Sequence, residues 1–271
     1  MHPESVKALD ADLYPAPCHH QQEVEDYFDG QALRPLTPAE TDSLGELDAF
    51  FVAFSNRSGS TLLTELLNQS GLGVPPRAEV FNSDSIIPVC AEHGIESFTD
   101  YFLQVTLGWV QRGRVGFKIG PRQLFWLTRA GLLPCFGSVS VVNATRHDRL
   151  AQAVSLYIAR TTGQWHSDMA GSGVQEIPYD PAAIARALRD ICRDQQLIEY
   201  YAAIHGAPLT AVAYEELMAD PGGRVGRVYD FLQVPAQEMQ PVELAAVQME
   251  RQRSDRSRQL EEAFRREFAL G

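Results

Sequence analysis

Residues 50–67 read FFVAFSNRSGSTLLTELL, and the reading of this stretch decides the fold. It opens on an apolar, partly aromatic run whose length suits a buried strand of a parallel sheet. A short polar turn follows, Ser55-Asn56-Arg57-Ser58-Gly59-Ser60. Thr61, Leu62, Leu63, Leu66 and Leu67 then recur with helical spacing. Strand, small-residue turn and helix together point backbone N–H groups and a helix N-terminus at an anion. Arg57 adds a positive charge where such an anion would sit. The same pattern also fits an ordinary βα turn whose Ser and Thr only cap the helix, so the choice rests on the rest of the chain.

Outward from this stretch, strands and helices alternate. Residues 115–119 (VGFKI) and 209–213 are strand candidates, and 138–144 (SVSVVNA) is a Val-rich core strand ending at Arg146-His147-Asp148. Ser97 or Thr99 caps a helix through Phe102 and Val105 to Arg112, and another helix runs through Leu124, Leu127 and Leu132. A helix containing Leu150, Val154, Leu156 and Ile158 reaches Thr162. Asp180-Pro181 and Asp220-Pro221 each pair a cap with a proline at the first helical position. From Val242 the chain reads as helical and charged, and residues 163–179 read as a long loop. The fold class is α/β, a doubly wound domain with a central parallel sheet. Residues 1–48 read as an acidic extension, capping or partly mobile, in which only 22–31 suits a short helix.

The chain of 271 residues carries 23 basic and 35 acidic side chains, a net charge of −12. That balance argues against a nucleic-acid surface, which needs a basic stripe. Cys18, Cys90, Cys135 and Cys192 form no CxxC or metal spacing and read as reduced thiols. His19-His20 lacks further ligands at useful spacing and reads as a surface dipeptide. No signal peptide and no transmembrane segment is evident, so a soluble, cytoplasmic protein is expected.

Parallel α/β sheets bind ligands at the carboxyl ends of their strands. Here two strand ends carry an arginine, Arg57 and Arg146, which suits a ligand with two separated phosphate-like groups. The turn lacks the lysine and the longer glycine loop of GxxxxGK[ST], and with Gly59 alone it is not GxGxxG. ATP hydrolysis and dinucleotide redox chemistry both lose weight.

Residues 56–63 (NRSGSTLL) resemble the 5′-phosphosulfate loop of sulfotransferases that use 3′-phosphoadenosine 5′-phosphosulfate (PAPS). The bacterial trehalose 2-sulfotransferase family, in which Arg replaces the more common Lys, is most similar. Residues 146–165 (RHDRLAQAVSLYIARTTGQW) resemble that family's 3′-phosphate segment, with Arg146 and Ser155 as the matched contacts. AYEEL at 213–217 with Asp220-Pro221 is similar to another sulfotransferase segment, and residues 249–264 to an Arg-rich C-terminal segment that closes over the nucleotide.

The resemblance spans residues 49–267 and implies a P-loop-like three-layer αβα sulfotransferase domain. It implies that Arg57, Ser58, Gly59, Ser60, Thr61, Leu62, Arg146, Ser155, Arg251 and Arg256 bind PAPS, with no metal. Arg57 would neutralise the bridging oxygen as the S–O bond breaks. Residues 77–81 (RAEVF) match a segment whose Glu is the general base, which puts Glu79 in that role; Ala78 and Val80 depart from the pattern and bear on the acceptor. Apolar neighbours such as Phe81 are expected to raise the Glu79 pKa. Lys118 matches a family segment and would hold the sulfuryl oxygens or the acceptor, or pack its stem at the strand end. Trp165 stacks on a sugar or adenine face, or packs in the core, and His147, His166 and His93 are lesser base candidates. The acceptor implied is a small-molecule or glycan hydroxyl, on a carbohydrate or glycolipid, and a homodimer stays open. A small-molecule kinase and a non-catalytic nucleotide-binding protein of this fold are the alternatives.

Overall fold

The first strand, β1 (Asp48–Phe54), is buried at every residue after Asp48 and sends alternate side chains into two separate cores. In the computed structural model, which describes residues 14–75, 78–165, 177–247 and 255–268, Ala49, Phe51 and Ala53 face one core and Phe50, Val52 and Phe54 the other. A strand covered on both faces reads as a continuous apolar run, as this one does.

β1 pairs in parallel with β2 (Arg114–Ile119) and β3 (Ser138–Thr145), and β3 pairs in parallel with β4 (Leu209–Ala213). The strand order is β2-β1-β3-β4. The chain therefore leaves β1 toward one edge and β3 toward the other, and the crevice of a doubly wound sheet lies at that switch. Gly116 is required where β2 crosses the Phe50 ring, because a Cβ there would lie 2.2 Å from it.

Over the Phe50 face lie α3 (Ser60–Gln69), through Leu62, Leu63, Leu66 and Leu67, and α10 (Pro221–Phe231), through Val225, Val228 and Tyr229. Over the Phe51 face lie α5 (Phe98–Gly108), α6 (Pro121–Arg129) and Ile198 and Tyr201 of α8 (Pro181–His205). Helices on both faces of a parallel sheet make the three-layer P-loop-like α/β arrangement. Beyond the sheet, α7 (Arg149–Thr162) packs Ala153 and Leu156 on Ala187 and Ile191 of α8, and Val154 and Tyr157 on Leu260 of α11 (Asp255–Phe268). The short α9 (Tyr214–Ala219) links β4 to α10.

Residues 14–47 are fastened to the domain. They contribute α1 (His19–Tyr27) and α2 (Pro38–Gly45), and Val24, Phe28, Ala32, Leu44 and Leu47 join the Phe51-face core. Arg34 pairs with both Glu40 and Asp100, and its hydrogen bonds hold Asp100 below the usual carboxylate range.

Several element ends differ from expectation. The first helix stops at Tyr27 because Asp29 and Gly30 take positive φ, 49° and 73°. α6 stops at Arg129, with Gly131 at φ 74°, and Leu132 enters a separate turn. After Val242 a short 3₁₀ turn (Leu244–Ala246) precedes α11 rather than a continuous helix. Three helices were not anticipated, α2, the short α9 and α4 (Ser83–His93), the last with Pro88 inside it. Among the described residues no helix is long and apolar enough to cross a membrane.

Candidate active site

The turn after β1 is built around two left-handed residues, Arg57 at φ 65° and Gly59 at φ 89°. Gly59 tolerates no side chain, since a Cβ would lie 2.6 Å from the Tyr214 ring. The turn rests on a buried amide network. Gln152 of α7 donates to Ser55 Oγ (2.9 Å) and to the Asn56 carbonyl (2.8 Å). Gln195 of α8 donates to Ser55 Oγ (3.0 Å) and accepts from Asn143 Nδ2 of β3 (3.0 Å). Ser55 and Gln152 are fully buried, and Asn143 and Gln195 nearly so. Gln195→Leu is expected to cost about 1–3 kcal/mol, because it leaves buried polar partners unsatisfied. Chemical denaturation checks this as a lowered midpoint.

Above this network α3 begins without a side-chain cap, and Ser60, Thr61 and Leu62 in its first turn are buried. The first backbone N–H groups of a helix have no partner within it and take one from a side chain, water or a ligand. Among the described residues Ser58 Oγ is buried with no hydrogen-bond partner, and so is Arg146 Nε. Both orphaned groups suit an oxyanion, so the residues present fit a phosphate-bearing donor. The Leu62 side chain belongs to the core, which leaves only its backbone N–H for a ligand.

Arg57 lies elsewhere than expected. Its Nε donates to Ser155 Oγ on α7 (3.0 Å) and its Nη1 to the Trp165 carbonyl (2.5 Å). The sequence reading set Arg57 and Ser155 at opposite ends of a nucleotide; here they touch, because the left-handed turn aims the side chain at α7. Burial lowers the Arg57 pKa, and Arg146 lowers it further, so two guanidinium groups converge on one region. Arg146 lies over the Tyr214 ring, 5.2 Å from its centroid, and 3.7 Å from Glu215 Oε1. Burial alone would raise the Glu215 pKa, but the amides of His147 and Asp148 and the Arg146 charge bring it below its ordinary value.

Lys118 holds the other side of the crevice. The β2 core residues Val115, Phe117 and Ile119 set its side chain on the opposite face, where its ammonium lies over the Phe54 ring, 4.8 Å from the centroid. Its ammonium, 3% exposed, donates to Thr61 Oγ1 (3.0 Å) and pairs with Glu79 Oε1 (2.8 Å). The expected apolar setting of Glu79 is not found. Phe81 packs on Phe102 and Phe117 in the core, while Lys118 and Asn82 face the carboxylate. Both contacts favour its charged form.

Of the remaining candidates, Arg256 donates to the Ile177 carbonyl (2.9 Å) and reaches Gln259. Arg251 and His166 lie outside the described residues. Trp165 is 37% exposed and belongs to neither sheet core. His20 is more than a surface residue, since its Nδ1 accepts from the Ser83 amide at 3.2 Å and contacts Ser83 Oγ at 2.8 Å. The residues missed were Gln152, Gln195, Asn82 and Gln123. The available signal was a polar residue on an otherwise apolar stripe, as with Gln195 among Ile184, Ala187, Ile191 and Ile198.

A family model described as Stf0 sulphotransferase matches residues 128–267, more than half of the 271-residue chain. The chain belongs to the Stf0 sulphotransferase family. The matched part of this Stf0 sulphotransferase contains Arg146, Ser155, Arg251 and Arg256; residues 50–67, Glu79 and Lys118 precede it. Membership assigns sulfuryl transfer, not the phosphoryl transfer of the kinase alternative. No curated protein matches the sequence. Among solved structures, a sulfotransferase from Alicyclobacillus acidocaldarius is similar at 16% identity and TM-score 0.49, covering 80% of this chain and 90% of its own. The sulfotransferase domain of the Synechococcus PCC 7002 olefin synthase is similar at 13% identity and TM-score 0.41, covering 80% and 94%.

Proposed function

We propose that this Stf0 sulphotransferase moves a sulfuryl group from PAPS to a hydroxyl of a carbohydrate or glycolipid-type acceptor, with Glu79 as general base. One observation carries the reading: a single buried ammonium, that of Lys118, touches both Thr61 at the head of α3 and the Glu79 carboxylate. The anion-ready turn and the candidate base therefore border the same small space.

PAPS, when bound, supplies a sulfuryl group already activated by its bond to a phosphate oxygen. The amides of Ser60, Thr61 and Leu62 and the Ser58 hydroxyl would hold the 5′-phosphosulfate at the positive end of α3. Arg57, Arg146 and Ser155 would bind phosphate charge through charge-assisted hydrogen bonds, with Arg251 and Arg256 closing over the nucleotide. Glu79 would accept the acceptor's hydroxyl proton as that oxygen bonds to sulfur. The electron pair of the broken S–O bond would go to the phosphate oxygen, where the α3 amides would face the developing charge, while Lys118 would hold the sulfuryl oxygens. The products are the sulfate ester and 3′-phosphoadenosine 5′-phosphate. This scheme assigns the charge to side chains and amides without a metal, in a cytoplasmic enzyme.

The donor assignment predicts that 3′-phosphoadenosine 5′-phosphate, at about 100 times its Kd, raises the thermal midpoint by about 5–10 °C. ATP at equal concentration is expected to shift it far less, and equal shifts would overturn the assignment.

A further inference from the structure

The segment carrying Glu79 is pinned by two backbone carbonyls. Val80 O accepts from Tyr101 Oη (2.7 Å), and Phe81 O accepts from Gln123 Nε2 (2.7 Å). Gln123 stands in the first turn of α6, 5% exposed, and its Oε1 accepts from the Gly120 amide (2.8 Å). A backbone N–H can only donate and a carbonyl can only accept. These two contacts therefore fix which end of the Gln123 amide is oxygen and which is nitrogen.

The polarity then passes outward. Gln123 Nε2 also donates to Asn82 Oδ1 (2.8 Å), which turns the Asn82 amino group the other way, onto Glu79 Oε2 (2.9 Å). Lys118 meets Oε1. Burial lowers the pKa of His20 on α1 and His19 lowers it further, against the charges of Asp84, Glu23 and Glu79.

We propose that Asn82 and Gln123 are positioning residues for Glu79, a relay that carries the polarity of the Gly120–Phe81 backbone to the carboxylate. The relay guarantees one neutral donor at Oε2, which holds the carboxylate plane and favours the ionised base. This inference rests on Glu79 being the base. Asn82 touches no reacting atom; it acts through Glu79.

The test uses protein labelled with ¹³C at glutamate side-chain carboxyls, with the Glu79 signal assigned as the one lost in Glu79→Gln. In Asn82→Ala the titration midpoint of that signal is expected to rise by about one pH unit, since a donor to the charged form is lost. Asn82→Asp keeps the shape but sets a carboxylate against Glu79, and a larger rise is expected. The isosteric variant carries the test if the alanine variant does not fold. Transfer from ³⁵S-labelled PAPS to a panel of neutral mono- and disaccharides should fall about 10- to 100-fold in Asn82→Ala, with binding of 3′-phosphoadenosine 5′-phosphate unchanged. An unmoved Glu79 midpoint in both variants overturns the relay. Near-normal transfer by Glu79→Gln overturns the base assignment instead, and the two failures are separately visible.

Discussion

Glu79→Gln is expected to lower sulfuryl transfer by about 10²- to 10⁴-fold, the usual contribution of a positioned general base, while binding of 3′-phosphoadenosine 5′-phosphate stays near wild type. A neutral alcohol is a poor nucleophile, and the amide keeps the volume of the carboxylate but not its affinity for a proton. The substitution has a second consequence. Lys118 is 3% exposed against 29% for Glu79, so loss of the carboxylate leaves a buried ammonium with Thr61 Oγ1 as a neutral partner. Removing one partner of a buried pair is costly, about 3–5 kcal/mol in fully buried cases, and the exposure of Glu79 puts the cost here below that range. A lowered thermal midpoint is therefore expected beside the lost turnover, and the assay is read per folded molecule with ³⁵S-labelled PAPS and a saccharide panel. Turnover close to wild type would move the base to another side chain, His147 being exposed at the end of β3.

How far this site was legible in the sequence depends on how local each signal is. The β1–turn–α3 unit was readable because an apolar run, a small-residue turn and a leucine stripe are all short-range patterns. The Asp180-Pro181 and Asp220-Pro221 starts were readable for the same reason, and both aspartates do cap, accepting from Ala183 and Gly223 amides. α2 was equally local and was passed over, although Thr37-Pro38-Ala39-Glu40 spells the capping box that forms there. α4 was hidden by Pro88, which normally ends a helix.

Long-range geometry was a different matter. That Lys118 leaves the core face follows from strand parity, since Val115, Phe117 and Ile119 are the apolar set of β2. That its ammonium then bridges Thr61 and Glu79 depends on the β1–β2 register, Val52 opposite Lys118, which no local pattern encodes. The contact between Arg57 and Ser155 depends on a left-handed backbone at a residue other than glycine, which sequence statistics disfavour. The amide network joins the turn after β1 to β3, α7 and α8 through hydrogen bonds whose partners lie 52 to 140 residues apart, and only the tertiary fold brings them together.

Lys118→Met is expected to lower transfer by about 10²- to 10³-fold, the effect of removing one preorganised donor from a site of developing charge. Methionine keeps an unbranched apolar chain of similar reach, though it gives up the ammonium's contact with the Phe54 ring. Binding of 3′-phosphoadenosine 5′-phosphate should change little, because that product lacks the sulfuryl group that Lys118 is placed to meet; calorimetry on the variant separates the two effects. A large loss of product affinity would instead put Lys118 on the nucleotide's phosphates. The double variant Glu79→Gln/Lys118→Met tests whether the two side chains form one unit. Glu79→Gln alone strands a buried cation, whereas the double variant removes both charges together, so its thermal midpoint is expected to lie above that of Glu79→Gln. Transfer in the double variant should be less impaired than the product of the two single losses, because each single change already dismantles the same constellation. Strictly additive losses in both stability and turnover would mean that Lys118 and Glu79 act independently, and the link between donor turn and base would have to run through another residue.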